Sequence, residues 1–201
     1  GSDKSESDDP EHTPEIDYDV AAKYFNAGFV GYMTADGVLR NIILESAEGE
    51  SSYTCSYSGG LVGFNLGTVE NCRVAVKVIL ENAEGGHSVA GGLVGRNQGD
   101  IRNCISLGWV TANNSYGALC GINEGVIESC YAVDDPSHNT DPALVNGDRP
   151  ETLTLCGVGD GVNSAVYASA TELIEKADIS AWSGWTTDAD GMPVLTVTQI
   201  R

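Results

Sequence analysis

The sequence reads GGLVGFNLGTVENC at residues 59–72 and GGLVGRNQGDIRNC at residues 91–104. A third copy, GALCGINEGVIESC, occupies residues 117–130, and a looser one, AGFVGYMTADGVLRNI, occupies residues 27–42 with two extra residues before its second glycine. The glycine after the two apolar residues recurs in steps of 32, 32 and 26 residues, at Gly31, Gly63, Gly95 and Gly121. Periods of this length indicate a repeat architecture in which each copy is one structural unit.

The apolar residues of each copy alternate with polar neighbours. This period of two predicts very short strands with one buried face, whose inward positions are Leu61, Leu93 and Leu119 in one series and Val69, Ile101 and Ile127 in another. The glycines between them are expected to let the chain turn with positive φ. Because one coil cannot bury its own inner face, coils must stack, with equivalent strands paired in parallel about 4.8 Å apart.

Two asparagine positions have distinct predicted roles. Asn71 and Asn103 precede the cysteine of their copies, and asparagine tolerates left-handed backbone geometry. A bend there reverses the alternation, so that both Val69 and Cys72 point inward. A second series, Asn65, Asn97 and Asn123, is expected to form an amide ladder between coils. The alternative is a row of amides that binds sugar.

The six cysteines are interpreted mainly as small apolar core residues. Cys72, Cys104 and Cys130 share one repeat position, and Cys120 stands where the other copies have valine. Metal sites require cysteine pairs two to four residues apart, which these spacings do not provide. Disulfides remain an open alternative in an oxidising compartment, chiefly for Cys55 and Cys156. We therefore predict no metal site, no cofactor and no catalytic residue.

The charge balance excludes some partners. Lys and Arg total 10 against 29 Asp and Glu, a net charge of −19, which repels nucleic acid and anionic membrane surfaces. No apolar run approaches the roughly 20 residues that span a bilayer. One repeat position alternates in sign and predicts a ladder of cross-strand ion pairs, each worth up to about 1 kcal/mol: Arg40, Glu70, Arg102 and Glu128.

The two ends differ from the repeats. Residues 1–16, GSDKSESDDPEHTPEI, predict a disordered acidic spacer, either a solvated tail or a stalk that follows a lipidated cysteine. The solenoid is expected over residues 17–139 and a capping region over residues 140–201. Within the cap, LTLCGVG (153–159) and AVYAS (165–169) predict short strands, and residues 170–178 predict a short helix with Thr171 as its N-cap.

Two features of the cap suggest ligands. Trp182 and Trp185 either pack the cap onto the last coil or stack on sugar rings, which makes them the candidate ligand contacts. Residues 188–191, DADG, look like the start of a calcium loop, but the acidic residue at its twelfth position is missing.

The frame GGLVGxNxGxIxNC resembles the GLUG motif, and the resemblance covers residues 27–133. It implies an all-β fold, a short right-handed parallel β-helix on an extracellular bacterial protein, here closed by a C-terminal cap that contains one short helix. GLUG repeats occur in surface lipoproteins regarded as adhesins and as non-catalytic repeats beside certain immunoglobulin A peptidase domains. The resemblance supplies no catalytic residue.

The expected function is a non-enzymatic binding or adhesion module of the cell surface, an outer-membrane lipoprotein. Its expected partner is a host or matrix glycan or protein, with recognition in the loops 45–58 and 82–90, and with membrane contact only through an N-terminal lipid anchor. One alternative is a carbohydrate-active β-helix enzyme, a polysaccharide lyase or hydrolase. Another is a purely structural spacer. The oligomeric state is left open.

Overall fold

The computed structural model describes residues 26–45, 57–80, 89–112, 115–133 and 164–196. The expectations for the acidic spacer, the strand at 153–159, Cys55 and Cys156 lie outside these ranges. Most of the two loops proposed for recognition also lies outside them.

The repeats form four stacked coils, each contributing one strand to each of four parallel walls. Strands are numbered in chain order. Wall A contains β1 (Asn26–Ala27), β5 (Tyr57–Gly59), β10 (Val89–Gly91) and β15 (Ser115–Gly117). Wall B contains β2 (Val30–Met33), β6 (Val62–Asn65), β11 (Val94–Asn97) and β16 (Cys120–Asn123). Wall C contains β3 (Val38–Arg40), β7 (Thr68–Glu70), β12 (Asp100–Arg102) and β17 (Val126–Glu128).

Wall D is longer than the other walls by one strand. It contains β4 (Ile43–Glu45), β8 (Arg73–Ala75), β13 (Ile105–Ser106), β18 (Tyr131–Val133) and β19 (Ala165–Tyr167). A further parallel pair, β9 (Val78–Leu80) and β14 (Val110–Ala112), belongs to the second and third coils. The all-β solenoid predicted from the repeats is confirmed, and its first coil is regular although its sequence departs most from the frame.

The core consists of columns of equivalent inward residues from successive coils. Leu61, Leu93 and Leu119 are fully buried, as are Val69 and Ile101. Ile127 in the fourth coil is 4% exposed. The alternation of apolar and polar residues therefore predicted the inner face correctly, and stacking buries it as a continuous core.

The bend between walls C and D lies where the asparagines predicted it. Asn71 and Asn103 have φ of 52° and 51°, and Ser129 has 52° in the fourth coil. Asn41 in the first coil has φ of 58°. Because the bend reverses the alternation, the residues on either side of it, Val69 and Cys72, are both fully buried.

The repeat glycines serve a different purpose from the one predicted. Among the described residues, only Gly184 and Gly191 are glycines with positive φ, and both lie in the cap, so the expectation of positive φ in the repeats is wrong. A Cβ atom on Gly63 would lie 2.6 Å from the carbonyl oxygen of Gly31 and 2.8 Å from the nitrogen of Ala27. Glycine is required here because the backbones of walls A and B approach too closely for any side chain.

The asparagine ladder is present. Asn65 Nδ2 donates to Asn97 Oδ1 over 2.7 Å, and Asn97 Nδ2 donates to Asn123 Oδ1 over 2.6 Å. The ladder also holds the turn that follows, since Asn65 Oδ1 accepts a bond from the backbone N–H of Gly67. These buried amides thus satisfy one another and the adjoining backbone, as buried polar groups must.

The cysteines of the repeats lie in the core. Cys72, Cys104, Cys120 and Cys130 are fully buried, and none of these four is in a disulfide. The thiol of Cys104 donates to the carbonyl oxygen of Arg102 over 3.1 Å, and burial raises its pKa well above the ordinary value. A buried neutral thiol of this kind is a core residue and a poor nucleophile.

The predicted charge column lies on the outer surface of wall C. Register places Arg40 opposite Glu70, Glu70 opposite Arg102, and Arg102 opposite Glu128. Arg40 Nη1 lies 3.9 Å from Glu70 Oε1, and Arg102 Nε lies 3.2 Å from Glu128 Oε2. Such exposed pairs each stabilise the fold by at most about 1 kcal/mol.

The cap begins as a continuation of wall D. Strand β19 pairs in parallel with β18, and it leads into the helix α1 (Ala170–Lys176). The N-cap is Ser169, whose hydroxyl accepts a bond from the backbone N–H of Glu172, so the assignment of Thr171 is wrong by two residues. An antiparallel hairpin of β20 (Trp185–Thr187) and β21 (Pro193–Leu195) follows. In the part of the chain that is described, no helix is long and apolar enough to cross a membrane.

The central asparagine of the ladder provides a test of the core. Asn97→Asp removes a hydrogen-bond donor and places a carboxylate against the side-chain amide oxygen of Asn123. We therefore expect the free energy of unfolding to fall by about 3 kcal/mol at pH 7. Burial raises the pKa of the new carboxyl in the folded state above its unfolded value. The folded state then binds more protons, and the loss should shrink as the pH falls from 7 towards 4.

Urea unfolding followed by circular dichroism at several pH values measures this effect. The matched control is Asn41→Asp, because Asn41 is exposed and aspartate also tolerates its left-handed backbone. A loss for Asn97→Asp that does not depend on pH would contradict a buried carboxyl at this position.

Candidate binding surfaces

The two tryptophans proposed as ligand contacts lie in the aromatic cluster that attaches the cap to the last coil. Trp182 is 7% exposed, and its ring stacks on Tyr131 with centroids 5.1 Å apart and planes 13° apart. Trp185 meets Trp182 edge-on at 5.2 Å. The indole N–H of Trp185 donates to Asn71 Oδ1 over 3.3 Å. Trp182 is therefore largely buried, with one ring face covered by Tyr131.

The same cluster borders an open cleft of about 450 Å³ between the last coils and the helix. Its polar groups include Lys176, Asp178 and the hydroxyl of Tyr131. These groups already have partners: Lys176 Nζ lies 2.5 Å from Glu172 Oε1, and the Tyr131 hydroxyl donates to the carbonyl oxygen of Asp178 over 3.0 Å. Burial raises the pKa of the Tyr131 phenol, which keeps this donor protonated. Three polar residues of the cleft are consequently already bonded within the junction between the last coils and the cap.

The acidic turn that resembles a calcium loop has a structural role. Asp188 Oδ1 accepts bonds from the backbone N–H groups of Asp190, at 3.0 Å, and Met192, at 2.9 Å. This pattern closes the turn between β20 and β21 by a side-chain mimic of backbone pairing. Among the described residues there is no group of three His, Cys, Asp or Glu that could hold a metal ion.

A second surface, not anticipated from the sequence, lies on the outside of walls A and B. We call it the aromatic strip and define it as Tyr32, Tyr57, Phe64 and Arg96. Register places Tyr32 beside Phe64 and Phe64 beside Arg96 on neighbouring coils of wall B. Tyr32 meets Phe64 edge-on with centroids 5.4 Å apart, and Tyr57 of wall A lies 5.8 Å from Phe64.

Arg96 contacts two aromatic rings and also forms hydrogen bonds to the Tyr57 hydroxyl and the Glu124 carboxylate. Its guanidinium carbon lies 5.1 Å from the ring centre of Phe64 and 5.4 Å from that of Tyr57, and Nη1 donates to the Tyr57 hydroxyl over 3.1 Å. Nε and Nη2 both donate to Glu124 Oε2, at 3.0 and 2.7 Å. Gln98 Nε2 donates to the same oxygen at 2.6 Å.

The electrostatics fix the charge and position of Arg96. Partial burial alone lowers the pKa of the guanidinium, but the hydrogen bond to Glu124 and the interactions with Tyr57 outweigh burial and raise it. Arg96 is thus held close to both rings by its hydrogen bonds to Glu124 and to the Tyr57 hydroxyl. A preordered cation stacked on aromatic rings loses little side-chain entropy when it contacts a partner.

The strip remains accessible to a partner. Tyr32 is half exposed, at 50%, and Phe64 and Tyr57 are partly exposed. One signal in the sequence pointed to it: Tyr32, Phe64, Arg96 and Ile122 occupy the variable position between the glycine and the asparagine of the frame. Sequence analysis missed the strip because Tyr57 lies outside the frame and joins the others only through the three-dimensional coil.

The fold and its surfaces define a class: a parallel β-solenoid built from sequence repeats and closed by a C-terminal cap. The family model of the GLUG motif matches residues 54–79 and 86–111, which correspond to the second and third coils. The chain therefore contains two copies of the GLUG motif. No curated protein and no solved structure shows a significant match to the chain.

The packing role of Trp182 can be tested by truncation. We expect Trp182→Ala to lower the free energy of unfolding by about 3 to 5 kcal/mol, because it empties a buried site between Tyr131 and Trp185. The comparison is Trp109→Ala, because Trp109 is 37% exposed against 7% for Trp182, and its truncation should therefore cost less than that of Trp182. Urea unfolding followed by far-ultraviolet circular dichroism measures both. A stable Trp182→Ala variant that has lost sugar binding would instead support the ligand-contact interpretation.

Proposed function

We propose that this protein is a non-enzymatic binding or adhesion module of the cell surface, and that it contacts its ligand through the aromatic strip. The observation that carries this proposal is the partial exposure of Tyr32, Phe64 and Tyr57 side by side around Arg96. Exposed clusters of aromatic rings with arginine are typical of recognition surfaces, where such residues contribute most of the binding energy.

The strip is not explained by the needs of the fold. Stacking of coils requires apolar residues at inward positions, whereas outward positions need only tolerate the strand spacing. One outward column of wall C carries charges of alternating sign: Arg40, Glu70, Arg102 and Glu128. Wall B places Tyr32 and Phe64 at outward positions, where polar residues would be equally compatible with a solenoid.

The chemistry of the strip favours a neutral glycan. Ring faces and edges accommodate the apolar C–H surfaces of a sugar. Polar groups at the margin of the strip come from Arg96 and Gln98, which both donate hydrogen bonds to Glu124. The net charge of −19 disfavours anionic polysaccharides such as sulfated glycans. Four coils spaced about 4.8 Å apart present an extended surface, suited to a chain-like ligand more than to a single sugar.

The enzyme alternative has less support. A lyase or hydrolase needs two or more converging carboxylates, or a carboxylate with a cation site, that are available to substrate. In the described coils, Glu45, Glu124 and Glu128 each lie within ion-pairing distance of an arginine. Those arrangements stabilise neighbouring coils and do not resemble a poised acid and base. The structural-spacer alternative requires no binding surface and leaves the exposed aromatic rings without a role.

The cell-surface location forms part of the same proposal. It is supported by the family's occurrence on extracellular bacterial proteins and by the acidic segment of residues 1–16, which suits a spacer between a lipid anchor and a folded domain. The buried state of the thiols Cys72, Cys104 and Cys130 is compatible with an oxidising compartment, because core thiols are shielded from exchange.

Binding to a panel of neutral and anionic glycans tests the proposal. We expect the full chain to bind neutral polysaccharides and Tyr32→Ala to weaken that binding at least about tenfold, because an exposed aromatic contact is lost. The control is Val126→Ala, which removes a similarly exposed apolar side chain, 44% exposed, from wall C. Thermal unfolding should show that both variants remain folded.

Three outcomes would oppose this assignment. Equal loss of binding in both variants would place the site elsewhere, and a preference for anionic glycans would contradict the charge argument. Release of new reducing ends or unsaturated sugars during incubation would support the enzyme alternative.

A further inference from the structure

The first coil exposes the apolar end of the solenoid. Phe29 occupies the position of Leu61 and Leu93 and is 66% exposed, whereas both leucines are fully buried. Four further inward residues of this coil are partly exposed, whereas their counterparts in the second and third coils are fully buried. They are Val30, Leu39, Ile42 and Leu44. The end of the core is therefore a patch of large apolar side chains.

The backbone at this end is also uncovered by any described strand. Strands β1, β2, β3 and β4 each form the edge of their wall and pair with the second coil on one side only. Val38 and Ile43, on the outer face of the same coil, are 55% and 37% exposed. Apolar edge strands of this kind associate with other chains unless something covers them.

The opposite end shows how this chain covers a terminal coil. Strand β19 adds to β18, and the buried Leu173 and Trp182 pack beside Tyr131. A segment of the same chain that follows the last coil thus protects wall D. Solenoids generally need such caps at both ends to remain soluble.

We propose that residues 17–25, DYDVAAKYF, cover the open end of the first coil. They directly precede β1, and they contain four large apolar residues, Tyr18, Val20, Tyr24 and Phe25. Residues 1–16 contain one, Ile16. Nine residues span at most about 30 Å when extended, which is enough to cross the end of a coil. They are too few to build another coil, since the repeats are 26 to 32 residues long.

A buried polar atom gives independent support at this location. Asn26 Oδ1, in β1, is buried and has no hydrogen-bond partner. Buried carbonyl oxygens in folded proteins are nearly always paired, so a donor is expected next to it. A backbone N–H of the covering segment would supply that donor.

A second copy of the chain is the less favoured occupant. Two chains with a net charge of −19 repel each other, and that repulsion opposes end-to-end association. Residues 17–25 are joined covalently to β1, so their effective concentration at the open end exceeds that of any free partner. The covering segment also acts on a surface distinct from the aromatic strip, and its assignment does not depend on glycan binding.

Three chains test this assignment: the full chain, a chain from Asp17 and a chain from Asn26. We expect the first two to unfold at the same temperature, bind little of a dye specific for exposed apolar surface, and sediment as monomers. The chain from Asn26 should unfold several degrees lower, bind more dye and self-associate. Equal behaviour of the second and third chains would overturn the proposal.

A full-length variant covers the case in which the chain from Asn26 does not fold. Tyr24→Ser with Phe25→Ser should lower the unfolding temperature and raise dye binding, whereas the control Glu11→Ser with His12→Ser should change neither. A variant that matches the control in both measurements would contradict the assignment. A full chain that is dimeric and becomes monomeric on Phe29→Ser would show that a second copy covers the end instead.

Discussion

The structure depends on one constraint: the inner face of each coil is buried only by its neighbours along the solenoid. A three-residue strand has too little apolar surface to be stable alone, so every inward residue must stand in register with its equivalent in the next coil. The column of Leu61, Leu93 and Leu119 meets this requirement with identical side chains. The same register creates the asparagine ladder, because Asn97 contacts Asn65 and Asn123 only when the coils are aligned. An amide ladder therefore penalises any slip of one coil against another, which an apolar column alone tolerates more readily.

The short strands impose a second requirement, which is that the chain turn several times per coil without exposing the core. The bend between walls C and D uses a left-handed residue, Asn71 or its equivalent, and so moves the alternation by one position. The close contact of walls A and B uses glycine for its lack of a side chain. These are different physical solutions, one conformational and one steric, although the sequence shows both as small residues between apolar runs.

This difference explains what could be predicted from the sequence. The inward leucines, the asparagine bend and the cysteine positions repeat at fixed places, and repetition reveals a column before its geometry is known. The role of Gly63 could not be deduced, because close approach depends on atoms of a neighbouring coil. Ser169 was missed as the N-cap because the sequence offers Thr171 two residues later, and only backbone geometry distinguishes the two. The aromatic strip combines Phe64 of one wall with Tyr57 of another, and no sequence period links them.

The separation of inner from outer positions has a consequence for function. Since the core requires the inward columns alone, outward positions on each wall can change independently of the fold, as the charge column on wall C and the aromatic strip on wall B illustrate. The ends of the solenoid lack this freedom, because there the inward residues themselves reach the surface. At the C-terminal end Tyr131 is covered by the stacked ring of Trp182, whereas at the N-terminal end Phe29 is exposed in an equivalent terminal coil. A cluster of aromatic residues on a wall surface is typical of a binding site, whereas apolar residues at a solenoid end are expected wherever a cap packs. We therefore propose different explanations for the aromatic strip and for the open end, namely recognition for Tyr32 and Phe64 and a covering segment for Phe29.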